Sequence, residues 1–205
     1  MEFSKKDHWE NIYNTKALHE VSWYQPVPEI SLNFFESINF PKHSSVIDIG
    51  GGDSLLSDHL IARGYEDVTV LDISSNAIER AKKRQKEFSK KVDWIVSDIL
   101  DFVPRKKYAI WHDRAVFHFL REENDIKIYI NTLLDALSEN GILILGTFAE
   151  NGPQRCCSLD VTRYSFQNFE SLLSENFSIV KTANSIHKTP FNTEQSFNFI
   201  KAIKK

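Results

Sequence analysis

A three-layer α/β sandwich, with helices on both faces of a mostly parallel seven-stranded sheet, is the architecture this 205-residue sequence predicts. Three observations predict it. From residue 45 onward, short β-rich runs alternate with amphipathic helical patterns, the rhythm of strand–helix–strand units. Gly, Asn and Ser fall at the joins, where helices start and stop. The last two strand patterns are separated only by residues 184–194, too short for a helical crossover, so the final strand is expected to run antiparallel.

Residues 1–40 read as a helical segment, with Pro26 and Pro28 opening a turn before EISLNFFESI. The strands are expected at 45–50, 67–73, 92–98, 107–113, 141–148, 177–183 and 195–203. Leu55, Leu56 and Leu60 form the apolar stripe of a first helix that stops at Gly64, a residue suited to a left-handed terminator. The second helix spans 74–88, with Asn76 and Glu79 spaced as a capping box. In the third, Ile126, Ile130, Leu133, Leu134 and Leu137 share one helix face, and Asn140-Gly141 closes it. Ser165 opens a last helix, FQNFESLLSEN.

Composition narrows the class. A hydrophobic fraction of 41% with 26% charged residues is globular. The longest apolar runs, such as GILILG at 141–146, are too short to span a bilayer, so no membrane partner is expected. The opening MEFSKKDHWE lacks the apolar core of a secretory signal. Cys156 and Cys157 are adjacent and cannot form an ordinary disulfide without strain, which fits a reducing cytoplasm. The net charge of −3 supplies no global positive field for nucleic acid.

Three glycines stand together at 50–52, between the first strand and first helix. Such a turn admits positive φ and lets a ligand approach bare backbone. A dinucleotide-binding G-x-G-x-x-G loop would need glycine at position 55, where Leu55 stands. A phosphate-binding loop would need Gly-Lys-Ser/Thr, which does not follow. What remains is Asp48-x-Gly50-x-Gly52-x-Ser54, with Asp72 ending the second strand and Asp98 the third.

These residues resemble the class I S-adenosylmethionine-dependent methyltransferases, whose first motif is acidic-x-Gly-x-Gly-x-Gly and whose next two strands end in acidic residues. The resemblance covers residues 45–203, and Ser54 replaces the third glycine. It implies a Rossmann-like core at 41–205 with strand order 3-2-1-4-5-7-6, covered by a helical lid at 1–40. It implies S-adenosylmethionine as cofactor and S-adenosylhomocysteine as product, with no metal. On this pattern Asp72 accepts the ribose hydroxyls, Asp98 beside Ser97 accepts from the adenine amino group, and Ile73 and Ile99 sandwich the purine. Asp48, Gly50, Gly51 and Gly52 would receive the aminoacyl end.

The fourth strand ends in WHDRAVFHFL, which in the family faces the transferring methyl. Asp113 and Arg114 are therefore expected near the cofactor's amino acid moiety or the acceptor, and His118 as a general base. Trp9, Tyr13 and Trp23 are expected to cover the sulfonium with aromatic faces, and Tyr24 to reach the acceptor. In the polar segment 147–165, Arg155, Arg163 and Tyr164 would bind an anionic acceptor, with His187 at the same rim. Cys156-Cys157 could take a soft atom such as arsenic.

No Asn/Asp-Pro-Pro-aromatic follows the fourth strand and no Pro-Cys precedes a helix, which argues against DNA modification. The basic clusters at 81–86 and 104–108 lack interleaved aromatics, a poor match to a nucleic-acid platform. The sequence thus predicts a single-domain methyltransferase acting on a small molecule, as monomer or homodimer. Protein lysine methylation is the alternative, ahead of RNA methylation, a non-catalytic cofactor-binding role and a nucleotide-dependent oxidoreductase.

Overall fold

The computed structural model describes residues 4–205; Met1, Glu2 and Phe3 of the expected helical segment lie outside the described residues. A seven-stranded sheet organises the chain. Its strands are β1 (Val46–Ile49), β2 (Val68–Asp72), β3 (Val92–Val96), β4 (Tyr108–Arg114), β5 (Leu137–Phe148), β8 (Phe177–Lys188) and β9 (Glu194–Lys204). Between β5 and β8 lies a small hairpin of β6 (Arg155–Cys156) and β7 (Leu159–Asp160). The sheet order is β3-β2-β1-β4-β5-β9-β8, the expected 3-2-1-4-5-7-6 once the hairpin is set aside. Only β9 runs against its neighbours.

Alternation along the strands builds two cores. Ile47, Trp111, Leu143 and Leu145 point to one face and Val46, Ile110, Ile142 and Ile144 to the other, as a period of two requires. The first face is covered by α5 (Glu123–Ala136) and α6 (Phe166–Leu173), through Tyr129, Leu133, Phe169 and Leu173. The second is covered by α2 (Glu29–Glu36), α3 (Leu56–Ala62) and α4 (Ser75–Gln85), through Leu32, Phe34, Leu60 and Ile78. Helix α1 (Lys5–Thr15) lies against α4 at the carboxyl end of the parallel strands. No helix among the described residues is long and apolar enough to cross a membrane.

Several local expectations are corrected. Helix α4 is capped by Ser74, whose Oγ accepts from the Ala77 amide at 3.1 Å; Glu79 instead bonds Lys82, so Asn76 and Glu79 form no capping box. Helix α5 stops at Ala136, and Leu137 already pairs with Tyr108 in the sheet. Leu137 is buried in either state, so its helical spacing could not reveal the switch. The segment 184–194 is mostly strand: β8 and β9 pair from Phe177↔Lys204 out to Lys188↔Glu194, leaving five residues to turn. Its polar side chains hid the strand. In the 155–160 hairpin, Cys157 and Ser158 both have positive φ (51° and 67°), the conformation of a tight two-residue hairpin turn.

Candidate active site

The carboxyl ends of β1, β2 and β4 converge on a cavity of about 170 Å³. Its floor is the glycine turn. Gly50 has φ +62°, and a Cβ there would collide with the Val116 side chain. A Cβ on Gly52 would sit 2.5 Å from Asp72 Oδ2, and one on Gly51 would meet the Asp48 carboxylate. The glycines therefore let the turn press directly against two carboxylates.

Asp48, Asp72 and Asp98 line the cavity together. Each is held by the fold through one oxygen. Asp48 Oδ1 meets His112 Nδ1 at 2.7 Å, and His112 Nε2 meets Ser31 Oγ at 2.9 Å. Asp72 Oδ1 accepts from the Ser74 amide at 2.8 Å, and Asp98 Oδ1 from the Leu100 amide at 3.0 Å. No lysine or arginine among the described residues pairs with any of the three. Burial pushes the Asp72 carboxyl up to about 7, with the charges of Asp48 and Glu10 adding to it.

The cover is aromatic. Trp9 and Tyr13 of α1, Trp23 of the following segment and Phe119 all line the cavity, with Trp9–Phe119 ring centroids 5.3 Å apart and Trp9–Trp23 5.8 Å. Glu10 and Arg80 tie this cover to the start and middle of α4. Glu10 of α1 accepts from the amides of Ser75 (2.7 Å) and Asn76 (3.0 Å) and from the hydroxyls of Ser74 and Ser75. Arg80 of α4 donates to the carbonyls of Tyr13 (2.8 Å) and Lys16 (2.6 Å), while its Nη2 pairs with Asp53 in the glycine turn at 2.7 Å. A negative side chain at the amino end of a helix is favoured by the exposed N–H groups there.

The end of β4 supplies the remaining wall. Asp113 is fully buried and accepts from Tyr129 Oη at 2.7 Å and from the amides of Val116 (2.9 Å) and Phe117 (3.1 Å). These bonds fix a sharp turn in which Ala115 takes φ +72° and Val116 meets Gly50. Burial raises the Asp113 carboxyl to about 6. Arg114 lines the cavity itself. Its Nη1 makes a long contact of 3.4 Å with the Trp23 carbonyl, and the guanidinium lies over the Phe197 ring.

Residues 47–143 match the family model described as a methyltransferase domain. Over that stretch, just under half of the chain, the sequence is similar to methyltransferase domains. Among curated relatives, the eEF1A lysine and N-terminal methyltransferase of Mus musculus is 34% identical over 83 residues, 40% of this chain and 12% of the relative. EEF1A lysine methyltransferase 2 of Mus musculus is 26% identical over 191 residues, 84% of this chain and 76% of the relative. The chain spans well under half of the first relatives it matches, 12% of one and 35% of another. Among solved structures, the 1,6-didemethyltoxoflavin-N1-methyltransferase of Burkholderia thailandensis superposes with a TM-score of 0.75 at 13% identity, covering 98% of this chain and 87% of that one.

The fold gathers Trp9, Tyr13, Trp23, Tyr24, Asp48, Gly50, Gly51, Asp72, Ile73, Ser97, Asp98, Ile99 and Arg114 around one cavity. It leaves other expected residues outside, Gly52 among them, which is turned toward Asp72 and Ala77. His118 is fully buried between Phe119 and Phe148, and its Nδ1 accepts from the Phe148 amide at 3.4 Å, so Nε2 carries the hydrogen. Burial and the Arg114 charge pull it down to about 3. A ring so placed offers no lone pair to the cavity, and the general-base expectation loses its geometry. Asp113 likewise holds the turn and does not face the cavity.

The expected anion-binding residues of the 147–165 segment are also engaged elsewhere. Arg155 pairs with Asp160 at 3.0 Å across the hairpin. Arg163 donates to the Glu150 carbonyl at 2.6 Å, and Tyr164 is buried against Phe169 and Phe117. His187 is a buried β8 residue bonded to the Ser22 carbonyl at 2.7 Å, opening onto a separate groove with Tyr24. Cys156 alone of that segment reaches the cavity wall. Sequence reasoning missed His112, Ser31, Glu10 and Asp53. His112 sits opposite Asp48 in the β1–β4 register, a pairing that strand alignment could have exposed.

Proposed function

We propose that the chain transfers a methyl group from S-adenosylmethionine to a small molecule enclosed under the α1 cover, in the cytoplasm. The observation that carries this reading is the convergence of three unneutralised strand-end carboxylates with a glycine turn in one aromatic-roofed cavity. Such a site suits a ligand with hydroxyl and amino donors and a positive charge, and repels a pyrophosphate. When bound, S-adenosylmethionine supplies a methyl group made electrophilic by its sulfonium.

In this reading Asp72 accepts the ribose hydroxyls, and Asp98 with Ser97 receives the adenine edge between Ile73 and Ile99. Asp48, oriented by the His112–Ser31 chain, accepts the ammonium. Gly50 and Gly51 keep side chains out of the path of that aminoacyl end, and Gly52 lets the turn close on Asp72. Trp9, Tyr13 and Trp23 exclude water and present ring faces to the cationic sulfur. The domain's part in catalysis is then placement: holding nucleophile, methyl and sulfur in line lowers the barrier without a strong base. This agrees with a cavity into which His118 does not reach.

Protein lysine methylation is the second reading, favoured by the alignment of 84% of the chain with EEF1A lysine methyltransferase 2. Calorimetry should show S-adenosylhomocysteine binding and NAD not binding. Radiolabelled methyl transfer into a whole lysate, fractionated by size, separates the two readings. Label confined to macromolecules would reject the small acceptor, and binding of NAD in preference to the nucleoside would reject both.

A further inference from the structure

We infer that Arg114 is the docking point for an oxyanion, a carboxylate or phosphate group, carried by the methyl acceptor; the inference rests on the methyltransferase reading above. Two of its nitrogens, Nε and Nη2, are sealed from solvent and have no hydrogen-bond partner among the described residues. These two lie on one edge of the guanidinium, and their parallel N–H bonds match the two oxygens of a carboxylate. A buried N–H without an acceptor is costly, and costlier when charged. No aspartate or glutamate among the described residues forms an ion pair with it, and the Asp48 charge acts on it only through space.

Place within the cavity distinguishes this cation from the others. Lys5, the other lysine or arginine on the cavity lining, is paired with Asp125 at 3.5 Å, while Arg80 and Arg84 are committed to Asp53 and Asp58, and Arg155 to Asp160. Arg114 sits at the end of β4, paired in register with Gly146 of β5, on the side of the cavity away from β2 and β3. It contacts the Trp23 carbonyl of the cover and the Phe197 ring of β9. Those elements wall the acceptor side, whereas the Asp72 and Asp98 side repels anions. An oxyanion entering the cavity therefore has one favourable station. It meets a charge already stripped of water, so the protein pays no further desolvation on binding.

Calorimetric titration of benzoate into the full chain saturated with S-adenosylhomocysteine, with benzamide as the uncharged counterpart, tests the assignment. Benzoate should bind about tenfold or more tightly than benzamide, the margin of a charge-assisted bidentate pair. Arg114→Gln should abolish that preference, while Arg114→Lys keeps part of it as a point charge. S-adenosylhomocysteine affinity should change less than about threefold in Arg114→Gln, since a neutral amide there removes no cofactor contact. Equal binding of benzoate and benzamide to the parent chain, or a preference that survives Arg114→Gln, overturns the inference. So does a large loss of S-adenosylhomocysteine affinity in Arg114→Gln, which would assign the guanidinium to the cofactor's own carboxylate. If the nucleoside fails to bind the parent chain, the methyltransferase reading falls, and the benzoate–benzamide comparison on the chain alone still decides the anion station. The parent chain's preference decides equally should the glutamine variant not fold.

Discussion

The two sides of the cavity are built on opposite plans. On the β1–β2–β3 side, three carboxylates stand at successive strand ends, each fixed through a single oxygen. On the β4–β5 side the one carboxylate, Asp113, is turned inward and saturated by Tyr129 and two amides, and a guanidinium faces the cavity instead. The first side repeats a local device, one strand end per turn of the fold. The second depends on a single strained turn whose shape comes from distant partners. In the proposed reading the repeated device serves the cofactor, and the side shaped by distant partners serves the acceptor.

Removing the carboxylate from each side should break them differently. Asp113→Ala leaves the Tyr129 hydroxyl and two buried amides without an acceptor, and is expected to cost about 3–5 kcal/mol of folding stability. Asp72→Ala strips a carboxylate held only by neighbouring amides, those of Ser74 and Ile73, and should cost far less, while weakening S-adenosylhomocysteine. Denaturant unfolding of both variants checks the contrast. Similar losses in the two, with Asp113→Ala near the parent, would dissolve the distinction between an anchoring and a ligand-facing aspartate.

Acidity sharpens the same contrast, because burial raises Asp72 to about 7 and Asp113 on the other side to about 6. Asp72 titrates near 7 because it is buried beside other carboxylates. Its raised value means that the ionised, hydroxyl-accepting form is present above that pH and lost as pH falls through it. S-adenosylhomocysteine should thus bind about tenfold more weakly near pH 6 than near pH 8, following the ionised fraction. Asp72→Asn should flatten the curve. Neither His118, held down to about 3, nor Glu10, near 2, titrates in that window. A slope that persists in Asp72→Asn would place the titration on another group.

What the sequence made legible follows from the same division. The order of the sheet, its antiparallel β9 and the carboxylates at 48, 72 and 98 rest on periodicity and on spacing along one chain segment, which short-range patterns record. His118 and Asp113 share the polar cluster of Arg114 in sequence, yet only Arg114 faces the cavity. Which of three neighbours turns inward is decided by Tyr129, 16 residues on from Asp113, and by Ala115 at φ +72°. Arg155 and Arg163 were equally plausible anion ligands until the hairpin and the Glu150 carbonyl claimed them. Glu10 is invisible for the same reason: its partners lie 64 to 66 residues away.

Glu10 also joins the two sides, because the cover it fastens roofs both. Burial alone would raise its carboxyl, but the bonds from the amides of Asn76 and Ser75 and the hydroxyls of Ser74 and Ser75 outweigh it and hold the group near 2. The helix it fastens to, α4, begins three residues after Asp72, so the cover is anchored beside the proposed ribose site. Glu10→Ala removes the carboxylate fastening and leaves Arg80 on the Tyr13 and Lys16 carbonyls and Asn76 on the residue-10 carbonyl. Loss of a helix-capping group costs about 1 kcal/mol. If the cover must lift before the nucleoside leaves, that cost should appear as roughly fivefold faster release of S-adenosylhomocysteine in stopped-flow displacement. The pH dependence assigned to Asp72 should stay in place. An unchanged release rate would mean that the nucleoside escapes without disturbing α1, and that the aromatic roof governs only the acceptor side.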